Sequence, residues 1–146
     1  MNWRERARRT VAVAYRAGAP VSIIVERVRP PRALAKTKLA KLKLAPVEGK
    51  AEIEKGDYAS VVGALRNEHA DPDKLNNLGC AYAWLALETS QPSYWTRAIN
   101  ALEDSKARPA PRGGDKAEAA YVKREQVARA DANLEIIREL ISGPVQ

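Results

Sequence analysis

Apolar side chains recur at helical spacing after residue 51, and this periodicity constrains the fold more than any other feature of the sequence. One apolar face, with steps of three, four and three residues, consists of Leu75, Leu78, Tyr82 and Leu85. A second face near the end of the chain keeps similar steps through Val127, Ala130, Leu134, Ile137 and Ile141. Steps of three and four place side chains on one side of an α-helix, so this region is predicted to be helical throughout.

Proline, glycine and aspartate divide this region into separate helices. A helix is predicted to begin near Asp57 and run to residue 70, and the sequence Asp71-Pro72-Asp73 then ends it and begins the next. An aspartate at this point can accept a hydrogen bond from a free N–H group of the first turn. A loop is predicted at Thr89–Ser93, and Arg108–Asp115 cannot be helical because it holds two prolines and two glycines. The last helix is predicted from about residue 115 to residue 141.

The composition agrees with an all-α fold. Aromatic residues make up 5% of the 146-residue chain and Phe is absent, so Ala, Leu and Val must fill most of the core. Small side chains suit closely packed helices better than a β-sandwich. The single Cys80 cannot form an intramolecular disulfide, which favours a reducing, cytoplasmic compartment. The Arg-rich first 17 residues also match, in part, an organellar targeting segment.

Charge is distributed unevenly along the chain. Residues 1–50 carry 13 Lys and Arg against 3 acidic residues, whereas residues 51–146 carry 12 against 15. We therefore predict two parts: a basic N-terminal arm at 1–50 and an α-helical domain at 51–146. The basic residues expected to contact a partner are Arg4, Arg6, Arg8, Arg9, Lys36, Lys38, Lys41 and Lys43.

The arm itself is predicted to contain one helix and one extended segment. Residues 2–17 carry an apolar stripe through Trp3, Ala7 and Val11, which indicates a helix. Residues 32–50 keep neither the helical nor the strand period for long. We expect this second part to be extended or weakly helical, and to become ordered by lying on another surface.

The motifs in the helical region resemble those of the tetratricopeptide repeat over roughly residues 56–111. Leu75-x2-Leu78-Gly79-x2-Tyr82 is similar to the signature of the first helix of that repeat, and Ala98-x3-Leu102 to that of the second. The segment from Gly56 to Pro72 resembles the second helix of a preceding repeat. The spacing departs from the 34-residue period. The resemblance implies antiparallel helix pairs, here closed by a long C-terminal helix.

The same resemblance implies a partner-binding groove. In tetratricopeptide domains the first helix of each pair lines a concave surface, and the asparagine aligned with Asn77 often bonds the backbone of a bound peptide. The groove residues implied are Asn76, Asn77, Cys80 and Trp84. Alternatively, the two asparagines are solvated near the start of a helix. Glycine within a helix costs about 1 kcal/mol relative to alanine, so its presence usually has a packing reason. We therefore predict that Gly79, which has no side chain, allows a neighbouring helix to approach closely.

Catalytic and metal sites are not expected. A Cys–His pair would have to join Cys80 to His69, the only histidine, and no residue that would orient the pair is evident. The chain has no zinc-ligand set and no phosphate-binding glycine loop. We therefore predict no enzymatic activity, no cofactor and no small-molecule substrate.

The expected partner is another protein, with an acidic surface or peptide, in a multi-subunit complex. The leucines of the arm favour docking on a protein, because a phosphate-binding tail has little need of them: Leu34, Leu39, Leu42 and Leu44. The alternative is a ribonucleoprotein or DNA-bound accessory protein that uses the basic arm. Contact of helix 2–17 with an anionic membrane surface is a third interpretation.

Overall fold

A computed structural model describes residues 31–109 and 115–142, which form helices joined by connections without strands. Six helices lie in these residues: α1 Arg32–Leu39, α2 Lys50–Glu54, α3 Tyr58–Leu65, α4 Pro72–Thr89, α5 Ser93–Ala107 and α6 Lys116–Ser142. The predicted all-α fold is confirmed. The predicted helix 2–17 lies outside the described residues, and so do Arg4, Arg6, Arg8 and Arg9.

Helix α4 is the central element. Its start follows the prediction, because Asp71 accepts hydrogen bonds from the N–H groups of Asp73 at 2.9 Å and Lys74 at 3.4 Å, with Pro72 in the first turn. Twelve of its 18 residues are buried. A helix buried on most sides must be surrounded by other elements, and α1, α3, α5 and α6 all pack against it.

Helices α4 and α5 pack closely around Gly79. A Cβ atom at this position would lie 2.7 Å from Cγ of Leu102 and 3.1 Å from the carbonyl oxygen of Ala98. Both distances are shorter than an ordinary van der Waals contact, so only glycine lets α5 approach at this point. The structure thus places Gly79 at a helix crossing, as predicted from its cost within a helix.

Helix α6 packs along α5 and α4 with its second half. Its buried apolar residues are Ala130, Leu134, Ile137, Leu140 and Ile141, whereas most residues before Gln126 are exposed. Near that boundary Lys123 donates hydrogen bonds to the carbonyl oxygens of Ser105, at 3.2 Å, and Arg108. These carbonyls lie at the C-terminal end of α5, where the helix dipole favours a cation. Burial lowers the pKa of Lys123.

Helix α3 is shorter than predicted. It ends at Leu65 instead of continuing to residue 70. The N–H of Glu68 donates a hydrogen bond to the carbonyl oxygen of Leu65, and the Glu68 carboxylate accepts a hydrogen bond from the N–H of Asp71 at 2.8 Å. These bonds replace the helical pattern with a turn that leads into α4.

Residues 32–49 pack on the helices that follow them. Helix α1 replaces part of the predicted extended segment, because Ala35 and Leu39, one turn apart, are buried together in the main core. Leu42 and Leu44 pack against the same core. The boundary predicted at residue 50 therefore does not coincide with a break in the packing.

The two helical glycines provide a matched test of this packing. We expect Gly79→Ala to destabilise the protein, because overpacking costs about 1–3 kcal/mol and exceeds the gain in helix propensity. Gly63→Ala, where the added Cβ meets nothing within 4 Å, is expected to stabilise it by about 0.5–1 kcal/mol. Urea denaturation midpoints measure both changes. Equal effects of the two substitutions would contradict the proposed crossing contact.

Candidate functional site

Three buried asparagines meet where residues 43–48 cross the helical body. Asn76 and Asn77 lie on α4 and Asn133 on α6, with exposed fractions of 1%, 0% and 0%. A buried amide side chain costs free energy unless its donors and acceptor are satisfied. The hydrogen-bond partners of these three side chains therefore decide whether the site is stable.

Asn77 pairs with the main chain of Ala45. Its Oδ1 accepts from the N–H of Ala45 at 2.8 Å, and its Nδ2 donates to the carbonyl oxygen of Ala45 at 3.0 Å. The same Nδ2 donates to the carbonyl oxygen of Glu48 at 3.1 Å. An amide side chain offers the same donor and acceptor as a peptide group, so Asn77 pairs with Ala45 much as a neighbouring strand would.

Asn133 pairs with Lys43 in the same way. Its Oδ1 accepts from the N–H of Lys43 at 2.7 Å, and its Nδ2 donates to the carbonyl oxygen of Lys43 and to Oδ1 of Asn76, both at 2.9 Å. Asn76 adds a bond from its Nδ2 to the same carbonyl, at 2.9 Å. Residues two apart in an extended chain direct their main-chain groups to the same side. The main-chain groups of residues 43 and 45 can therefore both form hydrogen bonds with asparagines on α4 and α6. We call residues 42–49 the docked segment.

The docked segment is recognised by its main chain and by small side chains. Ala45 is completely buried. Gly49 is buried with a φ of 100°, and a Cβ there would lie 3.1 Å from Cγ1 of Val61. The side chain of Lys43 is instead exposed. The contact therefore fixes the position of this lysine without using its charge.

The structure separates the four predicted groove residues. Asn76, Asn77 and Cys80 are covered by the docked segment of the same chain, so in this arrangement they face neither a partner nor solvent. Trp84 is half-buried elsewhere on α4 and stacks on Tyr58. Sequence analysis did not identify Asn133. The available signal was an amide directly before Leu134 in the apolar stripe of α6.

Cys80 lies beneath the docked segment as a neutral thiol. Its Sγ is 3.5 Å from Nδ2 of Asn133 and 4.0 Å from the carbonyl oxygen of Lys43. Burial raises the pKa of the thiol to about 12, and the thiol is a poor nucleophile without ionisation. His69 lies exposed in the connection before α4. Among the described residues no group of three or more His, Cys, Asp or Glu could hold a metal ion.

The basic residues of the arm divide into paired and unpaired side chains. Lys38 forms an ion pair with Glu139 at 3.3 Å, whereas Lys36, Lys41 and Lys43 are exposed and form no ion pair with another described residue. Leu39 is buried. Because this leucine packs within the chain, as Leu42 and Leu44 do, three of the four leucines no longer favour a protein partner over nucleic acid.

Replacing Asn77 tests the asparagine contacts. Asn77→Ala leaves the N–H of Ala45 and the carbonyl oxygen of Glu48 without their asparagine partner, and an unpaired buried group costs about 1–3 kcal/mol. The carbonyl oxygen of Ala45 keeps the hydrogen bond from the N–H of Val47 at 2.8 Å. This geometry predicts a loss of stability. We also expect the docked segment to open more often, so that a thiol reagent labels Cys80 about tenfold faster or more.

Asn100→Ala provides the control for this measurement. Asn100 is exposed on α5, and its replacement should leave both the unfolding midpoint and the labelling rate of Cys80 nearly unchanged. A labelling rate for Asn77→Ala equal to that of the original protein would show that the docked segment does not depend on Asn77.

Burial of Cys80 predicts a specific dependence of stability on pH. At alkaline pH the thiol ionises in the unfolded chain, near its ordinary pKa of 9.0, but stays protonated in the folded chain until about pH 12. The unfolded state then binds fewer protons, so stability falls by about 1.4 kcal/mol per pH unit in that window. Cys80→Ala should remove this component. Denaturant unfolding of both proteins from pH 7 to pH 11 measures the difference, and parallel curves would exclude it.

Comparison with known proteins identifies no relative. No family model matches the chain, and neither the curated proteins nor the solved structures contain a significant match. The tetratricopeptide resemblance therefore remains a prediction from the motifs. No helix in 31–109 or 115–142 is both long enough and apolar enough to cross a membrane.

Proposed function

We propose that this chain is a non-enzymatic protein–protein interaction subunit of a larger complex. Its helical body, tetratricopeptide-like in its motifs, holds a basic surface for an acidic partner. The observation that carries the proposal is the way in which residues 32–49 are attached. Asparagines bind the main chain at Lys43, Ala45 and Glu48. Three of the four lysines in residues 32–49 form no ion pair with another described residue and are free for another molecule: Lys36, Lys41 and Lys43.

The attachment lowers the cost of binding. A disordered basic tail must lose backbone freedom when it meets a partner, and fixing the backbone of one residue costs about 1–2 kcal/mol. Here the backbone at Lys43 is already fixed by Asn76 and Asn133. Lys41 and Lys43 therefore approach a partner from a defined backbone, although their side chains remain free to move.

A nucleic-acid-associated role is the second candidate. The exposed lysines Lys36, Lys41 and Lys43 could also contact phosphates, and the leucines of the arm do not argue against this. We favour a protein partner because the half-buried aromatic surface next to α1 contains Glu88, and its two rings, Tyr58 and Trp84, are stacked on each other. A carboxylate repels phosphates, and rings that are already stacked on each other offer less surface to a base.

Charge reversal of Lys41 and Lys43 tests the proposal. We expect Lys41→Glu/Lys43→Glu to lose proteins that the original chain captures from a nuclease-treated native extract. The control, Lys55→Glu/Lys116→Glu, changes the charge equally at exposed residues that also form no ion pair with another described residue. This control variant should retain the captured proteins. Deletion of residues 1–50 is a poorer test, because it also removes Ala35, Leu39 and Ala45 from the core.

A salt titration separates the two candidates. Binding to single-stranded RNA or duplex DNA should weaken with a logarithmic slope of about −0.7 to −0.9 per phosphate contact. If the chain binds nucleic acid with such a slope, and captured proteins disappear after nuclease treatment, the accessory role replaces the protein-partner role. If Lys41→Glu/Lys43→Glu and the control Lys55→Glu/Lys116→Glu capture the same molecules, both the protein-partner role and the nucleic-acid role are contradicted.

A further inference from the structure

Two stacked aromatic rings form the floor of a surface cavity between α1, α3 and α4. Tyr58 and Trp84 stack with ring centroids 5.2 Å apart and an angle of 3° between their planes. Arg32, Lys36, Leu87 and Glu88 complete the lining of the cavity, whose volume is about 160 Å³. Small-molecule sites usually measure about 300–1,000 Å³. The cavity is therefore of a size to receive one side chain and is too small for a typical cofactor.

The lining of the cavity carries both signs of charge, with the cations on α1 and the carboxylate on α4. Arg32 and Lys36 lie one turn apart on α1, are exposed, and form no ion pair with another described residue. Glu88 lies on α4, a different helix from the one that carries the two cations. Together with burial, which is the larger effect, its charge raises the pKa of Tyr58. A ligand is thus favoured in one orientation, with its negative groups over α1.

The walls of the cavity are held in place by the core. Helix α1 is fixed by the burial of Ala35 and Leu39, and Trp84 and Leu87 pack against the core from α4. Little ordering would be needed on binding, which leaves more of the interaction free energy available for affinity. Trp, Tyr and Arg are also the residues that most often dominate the energetics of protein interfaces.

We propose that this cavity receives an apolar side chain from an acidic segment of the partner, with the carboxylates of that segment on Arg32 and Lys36. The proposal rests on the protein-partner function proposed above and specifies where the partner is anchored. The apolar side chain lies over Trp84 and Leu87. A carboxylate of the segment cannot lie next to Glu88, where the two negative charges would repel each other.

A capped peptide of four glutamates around a central leucine tests the proposal on the full chain. We expect this peptide to shift the indole N–H resonance of Trp84, and an otherwise identical peptide with a central glycine to bind about tenfold more weakly or worse. Arg32→Glu/Lys36→Glu should weaken binding of the leucine peptide by a similar factor. The Lys55→Glu/Lys116→Glu variant controls for the change in net charge.

Glu88→Gln supplies a test that a folding defect cannot imitate. Glu88 is exposed, so the substitution should leave the fold intact, and removal of its repulsion should tighten binding of the leucine peptide by about twofold. Equal binding of the leucine and glycine peptides, or no change with Glu88→Gln, would overturn the cavity as an anchor.

The two proposals fail in distinguishable ways. If Lys41→Glu/Lys43→Glu loses its captured proteins while Arg32→Glu/Lys36→Glu keeps them and binds the peptide normally, the acidic partner stands and the cavity is rejected. If neither double variant differs from the control in captured proteins, the proposed function is rejected as well.

Discussion

Pairing of three asparagine side chains with the main chain of the docked segment is the interaction on which this structure depends. Without it, both main-chain groups of Lys43, the N–H of Ala45 and the amides of the asparagines themselves would lose their hydrogen-bond partners. Such groups are costly when unpaired and stabilising when fully paired. The network therefore acts as a single unit: it joins α4 to α6 through Asn76 and Asn133, and it attaches the segment to both helices.

Some parts of this fold could be predicted from the sequence because local physics determines them. Apolar periodicity located α4 and α6 to within a few residues, and Asp71-Pro72 marked the start of α4 because capping needs only adjacent residues. Helix α1 was predicted only as part of an extended or weakly helical segment. An isolated helix of eight residues is unstable in water, so it depends on the burial of Ala35 and Leu39 against helices that are distant in sequence.

The candidate site was less predictable for the same reason. The motif drew attention to Asn76 and Asn77, but it could not show that their partners are residues 43–48 of the same chain. Asn133 lies 57 residues beyond Asn76, and nothing in the sequence links the two. The assignment of the arm as a separate part followed from its charge, which describes its solvent-facing side chains. Its packing is determined by the alanines and leucines between the lysines.

Recognition through the main chain has a consequence for how this protein can diverge. The network depends on few side chains: a small residue at 45, glycine at 49, and asparagines at 76, 77 and 133. The side chains at 41 and 43 make no contact that the fold needs, so drift or selection can change their charge while the backbone path stays the same. Distant relatives could therefore bind partners of different charge and still share this sparse pattern. An alignment that weights every position equally would overlook such relatives.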